Sequence, residues 1–159
     1  MKVFGHPIST CTRKVLMTLA ETGQQAELEV VDLFKGEHKQ PAHLAHQPFG
    51  QVPALQDGDF ALYESRAICR YLNEKVNGPL IPRDLKDRAR MEQWISVETS
   101  NFTGPVMKFI YHHVFKREQT AEVLAEAGQN LDNAVANYFA GQGSPDGIVT
   151  AIDQAAGQQ

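Results

Sequence analysis

The chain has 159 residues, of which 42% are hydrophobic and 21% are charged. This length allows one ordinary domain or two small ones, and the composition is typical of a globular protein that builds a hydrophobic core. Fifteen basic against nineteen acidic residues give a net charge of -4, which argues against binding to nucleic acid or to anionic lipid.

The first half of the chain alternates short β patterns with helical ones. A strand is predicted around Val3-Phe4, followed by a helix over 11–22 and a second strand over 28–33. Residues 34–47 are polar and rich in histidine, so they form at most a weak helix.

A hairpin and a further helix complete this half. Two short strands flank the Asp57-Gly58 turn, and a helix is predicted over 65–76. The resulting order β-α-β-α-β-β-α over residues 1–76 predicts an α/β domain, with a mixed sheet covered by helices on both faces.

The second half is predicted to be helical. A Pro-containing linker over 77–84 precedes two helical stretches, which form a partial all-helical domain over 85–140. Gly104-Pro105 interrupts the first stretch, and we expect a kink or a break there because proline removes a backbone donor. Residues 141–159 form a tail rich in Gly, Gln and Ala that adds little to a core.

Cysteine content and apolar runs bear on the location of the protein. The two cysteines, Cys11 and Cys69, are too few for a disulfide framework, and the chain starts without the pattern of a signal peptide. No apolar run approaches the ~20 residues that are needed to cross a bilayer. We therefore expect an intracellular, cytoplasmic protein that does not span a membrane.

Three segments of the first domain place polar residues where elements begin. Hydroxyl residues within 7–13 lie at the start of the first helix, where they act as helix caps or help to bind an anion. Gln51-Val52-Pro53 contains an X-Pro bond that is cis in a tight turn or trans in an ordinary loop. Glu64-Ser65 starts a helix with a hydroxyl beside an acidic side chain.

Together these segments resemble a known family. The runs KVFGHPISTCTRKVL, FKGEHK and HQPFGQVPALQDGDFALYESRAICRYL are similar, in order and spacing, to the glutathione S-transferase family. Within that family they look most like the phi class of plants and its bacterial relatives. The resemblance implies a thioredoxin-like N-terminal domain followed by a partial all-α C-terminal domain.

The resemblance also implies a role for each matching residue. Ser9 is the expected catalytic residue, because its hydroxyl would donate a hydrogen bond to the glutathione sulfur and favour the thiolate. The residues expected to bind glutathione match the other family motifs, and they are His38, Lys39, Gln51, Val52, Pro53, Glu64 and Ser65. Glutathione is then a co-substrate, and neither a further cofactor nor a metal is expected.

Each part of glutathione has an expected partner. The backbone of Val52 would align with the cysteinyl segment, and Glu64-Ser65 would hold the γ-glutamyl end. His38 and Lys39 would meet the glycyl carboxylate. The pocket for a hydrophobic electrophile would draw on three residues of one predicted helix: Met107, Tyr111 and Phe115. The six histidines lack the spacing of metal ligands. We therefore expect surface or packing roles for the histidines other than His38.

The expected function is conjugation of the glutathione thiolate to hydrophobic electrophiles. A glutathione-dependent peroxidase activity, a role in detoxification and assembly into a homodimer are also expected. One alternative is a non-catalytic remnant that binds glutathione or a partner, because the helical part is shorter than in the family. The capping motif that opens the family's central helix is matched by Thr150-Ala151-Ile152-Asp153. The other alternative is a thiol transferase that depends on Cys11, whereas a core role is expected for Cys69.

Overall fold

The structure, a computed structural model, describes residues 1–139. Residue 140, the predicted tail over 141–159 and the capping motif Thr150-Ala151-Ile152-Asp153 lie outside the described residues. The chain divides into two compact units, Met1–Arg88 and a second unit that begins at Ala89.

The first unit alternates strands with helices. Its elements are β1 (Lys2–Gly5), α1 (Thr10–Glu21), β2 (Glu27–Val30), α2 (Pro41–Leu44), β3 (Ala54–Asp57), β4 (Phe60–Tyr63) and α3 (Ser65–Lys75). A 3-10 turn at Glu37–Lys39 precedes α2. The predicted order β-α-β-α-β-β-α is confirmed, and the weak helix expected within 34–47 is the short α2.

The sheet is mixed, with the strand order β2-β1-β3-β4. Strand β1 runs parallel to β2 and antiparallel to β3, and β3 pairs with β4 antiparallel. The register places Ala54 between Phe4 of β1 and Tyr63 of β4. The carboxyl ends of β1, β2 and β4 therefore meet the amino end of β3 at one end of the sheet, which we call the site end.

Neighbouring residues of β1 point to opposite faces of the sheet, and each face has its own core. The larger core joins the sheet to α1 and α3, and its buried members are Val3, Val15, Leu19, Leu55, Ile68 and Leu72. On the other face Phe4 packs with Val31 and Ala54, and the ring of His46 stacks on Phe4 with 4.0 Å between centroids. Helices α1 and α3 thus cover one face, and the segment that follows α2 covers the other.

Local sequence signals determine both ends of helix α1. The side chain of Ser9 caps the first turn by accepting a hydrogen bond from the N–H of Thr12. The helix stops before Gly23, whose φ of 66° is in the left-handed region that glycine adopts without strain. Between these ends Val15 and Leu19, one turn apart, face the larger core.

The described part of the second unit is helical, as predicted. It contains the greater part of α4 (Leu85–Val97), a π-helical segment at Glu98–Phe102, α5 (Thr103–His113) and α6 (Ala121–Phe139). The expected interruption at Gly104-Pro105 lies one turn earlier, in the π-helical segment. Because a proline ring clashes with the carbonyl four residues before it, Pro105 distorts the helix at Asn101 rather than at its own position.

Asp57 joins the β3–β4 hairpin to α3. Its carboxylate accepts a hydrogen bond from the Tyr71 hydroxyl at 2.7 Å and a second from the Lys75 ammonium. Hydrogen bonds from Lys75 and then from Tyr71 hold the pKa of Asp57 below its ordinary value of 3.8. This cluster therefore fixes the hairpin against the helix that begins at the site end.

Replacing Asp57 by asparagine is expected to lower the free energy of unfolding by about 1–2 kcal/mol at neutral pH, because charge-assisted hydrogen bonds are lost. The folded-state pKa of Asp57 lies below the unfolded value, so its contribution is present above 3.8 and disappears as the pH falls through the lowered pKa. Urea unfolding at neutral and at acidic pH checks both points. A difference between wild type and Asp57→Asn that persists at acidic pH would assign the effect to packing.

Candidate functional site

Most of the predicted site residues lie in loops at the site end of the sheet. Ser9 follows β1, His38 and Lys39 follow β2, Val52-Pro53 precedes β3, and Glu64 follows β4. The strand register brings these four chain segments to the same end, although they are up to 55 positions apart in the sequence. The fold therefore brings together candidate site residues that the sequence analysis identified separately.

Ser9 combines both roles that the sequence leaves open. Its Oγ accepts from the N–H of Thr12 at 3.3 Å, which makes it the N-cap of α1. A hydroxyl that accepts one hydrogen bond still has its own proton to donate. The Ser9 hydroxyl, which is half-buried, can therefore cap the helix and donate to a ligand sulfur at the same time.

The loop that carries Ser9 is held by the first turns of α1. Arg13 donates from Nε to the carbonyl of Pro7 at 2.8 Å and from Nη2 to the carbonyl of Ile8 at 3.3 Å. Buried Thr12 lies so close to Gly5 that a Cβ on this glycine would come within 2.6 Å of the threonine side chain. These contacts fix the position of Ser9 relative to the sheet.

The Gln51-Val52-Pro53 segment contains a cis bond between Val52 and Pro53, which decides between the two forms that the sequence allows. Two buried side chains hold the segment in place. His43 Nε2 lies 2.6 Å from the Gln51 carbonyl oxygen, and Gln47 Oε1 accepts from the N–H of Gln51 at 3.2 Å. Within residues 1–139 the N–H and C=O of Val52 make no backbone hydrogen bond, so they are available to a peptide-like ligand.

The His38-Lys39 turn lies directly against this segment. Lys39 Nζ donates to the carbonyl of Phe49 at 3.0 Å. Gly50 has a φ of 60°, and a Cβ there would lie 2.7 Å from Lys39 Cδ and 2.8 Å from the His38 carbonyl oxygen. Only glycine allows this close approach, which brings the predicted glycyl-carboxylate residues beside Gln51.

Glu64-Ser65 forms an uncapped helix start. Glu64 precedes α3 with a φ of 72°, a conformation that a residue with a side chain adopts at a cost of about 1–3 kcal/mol. The Glu64 side chain makes no capping hydrogen bond, so the N–H of Ser65, the first residue of α3, is open to an anion. Ser65 is buried at the first position of this helix.

The other candidate residues are placed elsewhere. Met107 and Tyr111 lie on α5 and Phe115 follows it, and all three are half-buried in the second unit. Cys11 is the second residue of α1 and is half-buried. Burial raises the pKa of the Cys69 thiol, which fits the expected packing role.

Sequence reasoning missed His43, Gln47 and Arg13, whose side chains hold the backbone of the site. His43 was expected to have a surface or packing role; it is buried, and its ring also makes a hydrogen bond to Gln51 that the sequence analysis did not predict. In the sequence, the signal for the role of His43 and Gln47 is a histidine and a glutamine four residues apart, ahead of Phe49-Gly50.

The described residues show neither a metal-binding cluster nor a helix that could span a membrane. In residues 1–139, no group of three or more His, Cys, Asp or Glu side chains is arranged to hold a metal ion. The same part of the chain contains no helix with the length and apolar character that crossing a membrane requires.

Comparisons with known proteins agree with this architecture. Residues 8–75 match the family model of the glutathione S-transferase N-terminal domain. Glutathione S-transferase F9 of Arabidopsis thaliana is 46% identical over 118 residues, which is 72% of this chain and 54% of that protein. The chain thus spans about half the length of the curated relatives it matches.

Solved structures extend the likeness to both units. The crystal structure of glutathione transferase F7 from Populus trichocarpa is 35% identical, with a TM-score of 0.81 over 87% of this chain and 69% of that one. Glutathione S-transferase-I, solved with the ligand lactoylglutathione bound, is 34% identical, with a TM-score of 0.76 over 87% of this chain and 69% of that one. The α/β unit is therefore thioredoxin-like, and the chain belongs to the glutathione S-transferase family, in which it is phi-like.

Proposed function

We propose that the protein is a glutathione transferase, which binds glutathione at the site end and transfers its thiolate to hydrophobic electrophiles. The observation that carries this proposal is the meeting of three open backbone or hydroxyl groups at that end. They are the Ser9 hydroxyl, the unpaired backbone groups of Val52 and the uncapped start of α3 at Glu64-Ser65. The relative solved with lactoylglutathione supports a glutathione-type ligand for this arrangement.

Ser9 activates the thiol by donating a hydrogen bond. A charge-assisted hydrogen bond contributes about 1.5–3 kcal/mol, which lowers a thiol pKa by about one to two units. From a free-thiol value near ~8.5, this shift leaves much of the thiol ionised at neutral pH. The thiolate then attacks the electrophile without a general base.

Glutathione lies along the site end as a short extended peptide. The N–H and C=O of Val52, which precedes Pro53, pair with its cysteinyl segment, as in the addition of a strand. Its γ-glutamyl carboxylate binds the start of α3 at Ser65, and its amine lies near the carboxylate of Glu64. Gln51 adds a side-chain contact.

The glycyl carboxylate of glutathione lies beside the His38-Lys39 turn, which supplies positive charge. Glutathione acts as a co-substrate, and no further cofactor takes part. The electrophile binds among apolar side chains of the second unit, which include Met107, Tyr111 and Phe115. In the proposed peroxidase reaction, two glutathione molecules are oxidised to the disulfide while one organic hydroperoxide is reduced to an alcohol and water.

An aromatic cluster on the first unit supports the proposed homodimer. Phe49 is 64% exposed, and its ring meets that of Tyr63 edge-on with 6.0 Å between centroids. Tyr63 ends the edge strand β4 and is itself 37% exposed, whereas the ring of Phe60, on the same strand, lies beside Tyr71 of α3 and is not part of this cluster. A second copy of the chain covers this cluster, because aromatic side chains at the edge of a sheet are typical of protein interfaces.

The proposal also covers organisation and location. Residues 1–76 form the glutathione-binding domain, 77–84 the linker and 85–140 the partial helical domain, with the tail over 141–159. The proposed role is detoxification in the cytoplasm, with no nucleic acid or membrane partner.

The test is the rate of glutathione conjugation to a reactive aryl halide by a size-resolved fraction of the 159-residue chain. We expect a rate clearly above that of the uncatalysed reaction. If the rate is absent while glutathione raises the melting temperature, the chain is the non-catalytic remnant. A thiol transfer activity that disappears in Cys11→Ala, without conjugation, would favour the Cys11 alternative. Absence of conjugation, thiol transfer and glutathione binding overturns the proposal.

A further inference from the structure

His43 is the most buried titratable side chain near the site end, with 5% of its surface exposed. It lies on α2, and its Nε2 is 2.6 Å from the carbonyl oxygen of Gln51. A carbonyl can only accept, so Nε2 has the hydrogen and donates it. The other ring nitrogen, Nδ1, is buried without a hydrogen-bond partner among the described residues.

Gln47 completes the support of the same peptide segment. Its side chain is 1% exposed, and its Oε1 accepts from the N–H of Phe49 at 2.7 Å and from the N–H of Gln51 at 3.2 Å. The N–H and the C=O of Gln51 are thus both held by buried side chains, one by Gln47 and the other by His43.

This support determines the direction of the Val52 N–H. The carbonyl of Gln51 and the N–H of Val52 belong to the same planar peptide unit, in which they point in opposite directions when the bond is trans. The cis bond of this segment is the next one, between Val52 and Pro53. Anchoring the Gln51 oxygen on His43 therefore aims the N–H of Val52 away from α2.

We propose that His43 is a positioning residue for glutathione, which orients the Val52 peptide through the Gln51 carbonyl so that its N–H meets the cysteinyl segment. The inference rests on the proposed function, because it assumes glutathione in the site. His43 touches no reacting atom. Its loss therefore weakens glutathione binding more than it slows the chemical step.

The experiment compares two substitutions of His43 with one control. His43→Leu removes the donor, and His43→Gln keeps an amide N–H at a similar reach. His46→Leu is the matched control, because His46 belongs to the same segment but stacks on Phe4. Titration calorimetry with glutathione and steady-state kinetics are carried out well below the melting temperature of each variant. A cavity of about 260 Å³ borders His43 and gives the substituted side chains room to adjust.

We expect His43→Leu to raise the Kd and the KM for glutathione about fivefold to tenfold, with kcat changed less than about twofold. His43→Gln should restore most of the affinity, and His46→Leu should leave it unchanged. If His43→Leu does not fold, His43→Asn has the same expectation as His43→Leu, because its amide is too short to reach Gln51.

Three outcomes count against the inference, and they are distinguishable. A wild-type chain that binds no glutathione overturns the proposed function and the role of His43 with it. A wild type that binds, together with a His43→Leu variant of equal affinity and a lower melting temperature, overturns only the positioning role. Equal losses in His43→Leu and His46→Leu would also overturn it, because the effect would then belong to packing of the whole segment.

Discussion

Replacement of Ser9 by alanine is expected to lower kcat/KM for glutathione conjugation about 10- to 150-fold. This range corresponds to the loss of one charge-assisted hydrogen bond of about 1.5–3 kcal/mol to the thiolate. The pKa of the bound glutathione thiol should rise by about one to two units in the variant. The pH dependence of the conjugation rate measures this shift directly.

The same substitution removes the N-cap of α1, since Ser9 Oγ accepts from the N–H of Thr12. We therefore expect a stability loss of about 0.5–2 kcal/mol in Ser9→Ala, independent of its chemical role. Ser9→Asp separates the two effects, because aspartate caps a helix well but its carboxylate cannot donate to a thiolate. Ser9→Thr keeps the hydroxyl and is the positive control.

The expected pattern is a stable but slow Ser9→Asp variant and a Ser9→Thr variant that retains much of the activity. If Ser9→Asp is as active as wild type, the serine hydroxyl is not the thiol donor. In that case Ser9 is a helix cap alone.

Replacement of Ile68 by alanine is expected to lower the free energy of unfolding by about 2–5 kcal/mol. Ile68 is 0% exposed and belongs to the core that joins α1 and α3 to the sheet. The variant loses the transfer free energy of the removed carbons and leaves a cavity in a closely packed core. Chemical denaturation monitored by circular dichroism measures the difference.

Two further variants serve as controls for Ile68→Ala. Ile68→Val removes one methylene and should cost about 0.5–1.5 kcal/mol. Met17→Ala is the surface control, because Met17 on α1 is 68% exposed, and its effect should stay within about 0.5 kcal/mol. A loss of stability in Ile68→Ala no larger than that in Met17→Ala would show that α3 is not held by this core.

Ile68 also connects the core to the site. It lies one turn after the Glu64-Ser65 start of α3, and its N–H donates to the carbonyl of Glu64 at 2.9 Å. A helix that is loosely held at Ile68 presents its first N–H groups less precisely, so the affinity for glutathione should fall in Ile68→Ala as well.

Local signals in the sequence predicted much of the fold. Helix α1 begins at a serine cap and ends before a glycine, and both signals depend on the residue itself. The hairpin turn between β3 and β4 is present but lies one residue later than predicted, at Gly58-Asp59, because Asp57 still pairs with Phe60; Gly58 has a φ of 64°.

Predictions that depend on a distant partner were less accurate. The second strand was expected over 28–33, whereas β2 spans Glu27–Val30. Its pairing partner β1 ends at Gly5, which lies opposite Val30, so the ladder has no further strand to follow. The length of a paired strand depends on the length of the strand beside it, so the end of β2 could not be predicted from the residues of β2 alone.

The sequence by itself determined which residue types stand at the site: a hydroxyl at a helix start, an X-Pro bond before a strand and an acidic residue before another helix. These features depend only on the residue type and its neighbours in the sequence, so they can be recognised without the structure. Only the tertiary structure decided that they meet at one end of the sheet, and that His43 and Gln47 hold the peptide between them. Strand pairing and the burial of polar side chains depend on contacts between residues far apart in the chain, so their effect on the site appears only in the folded protein.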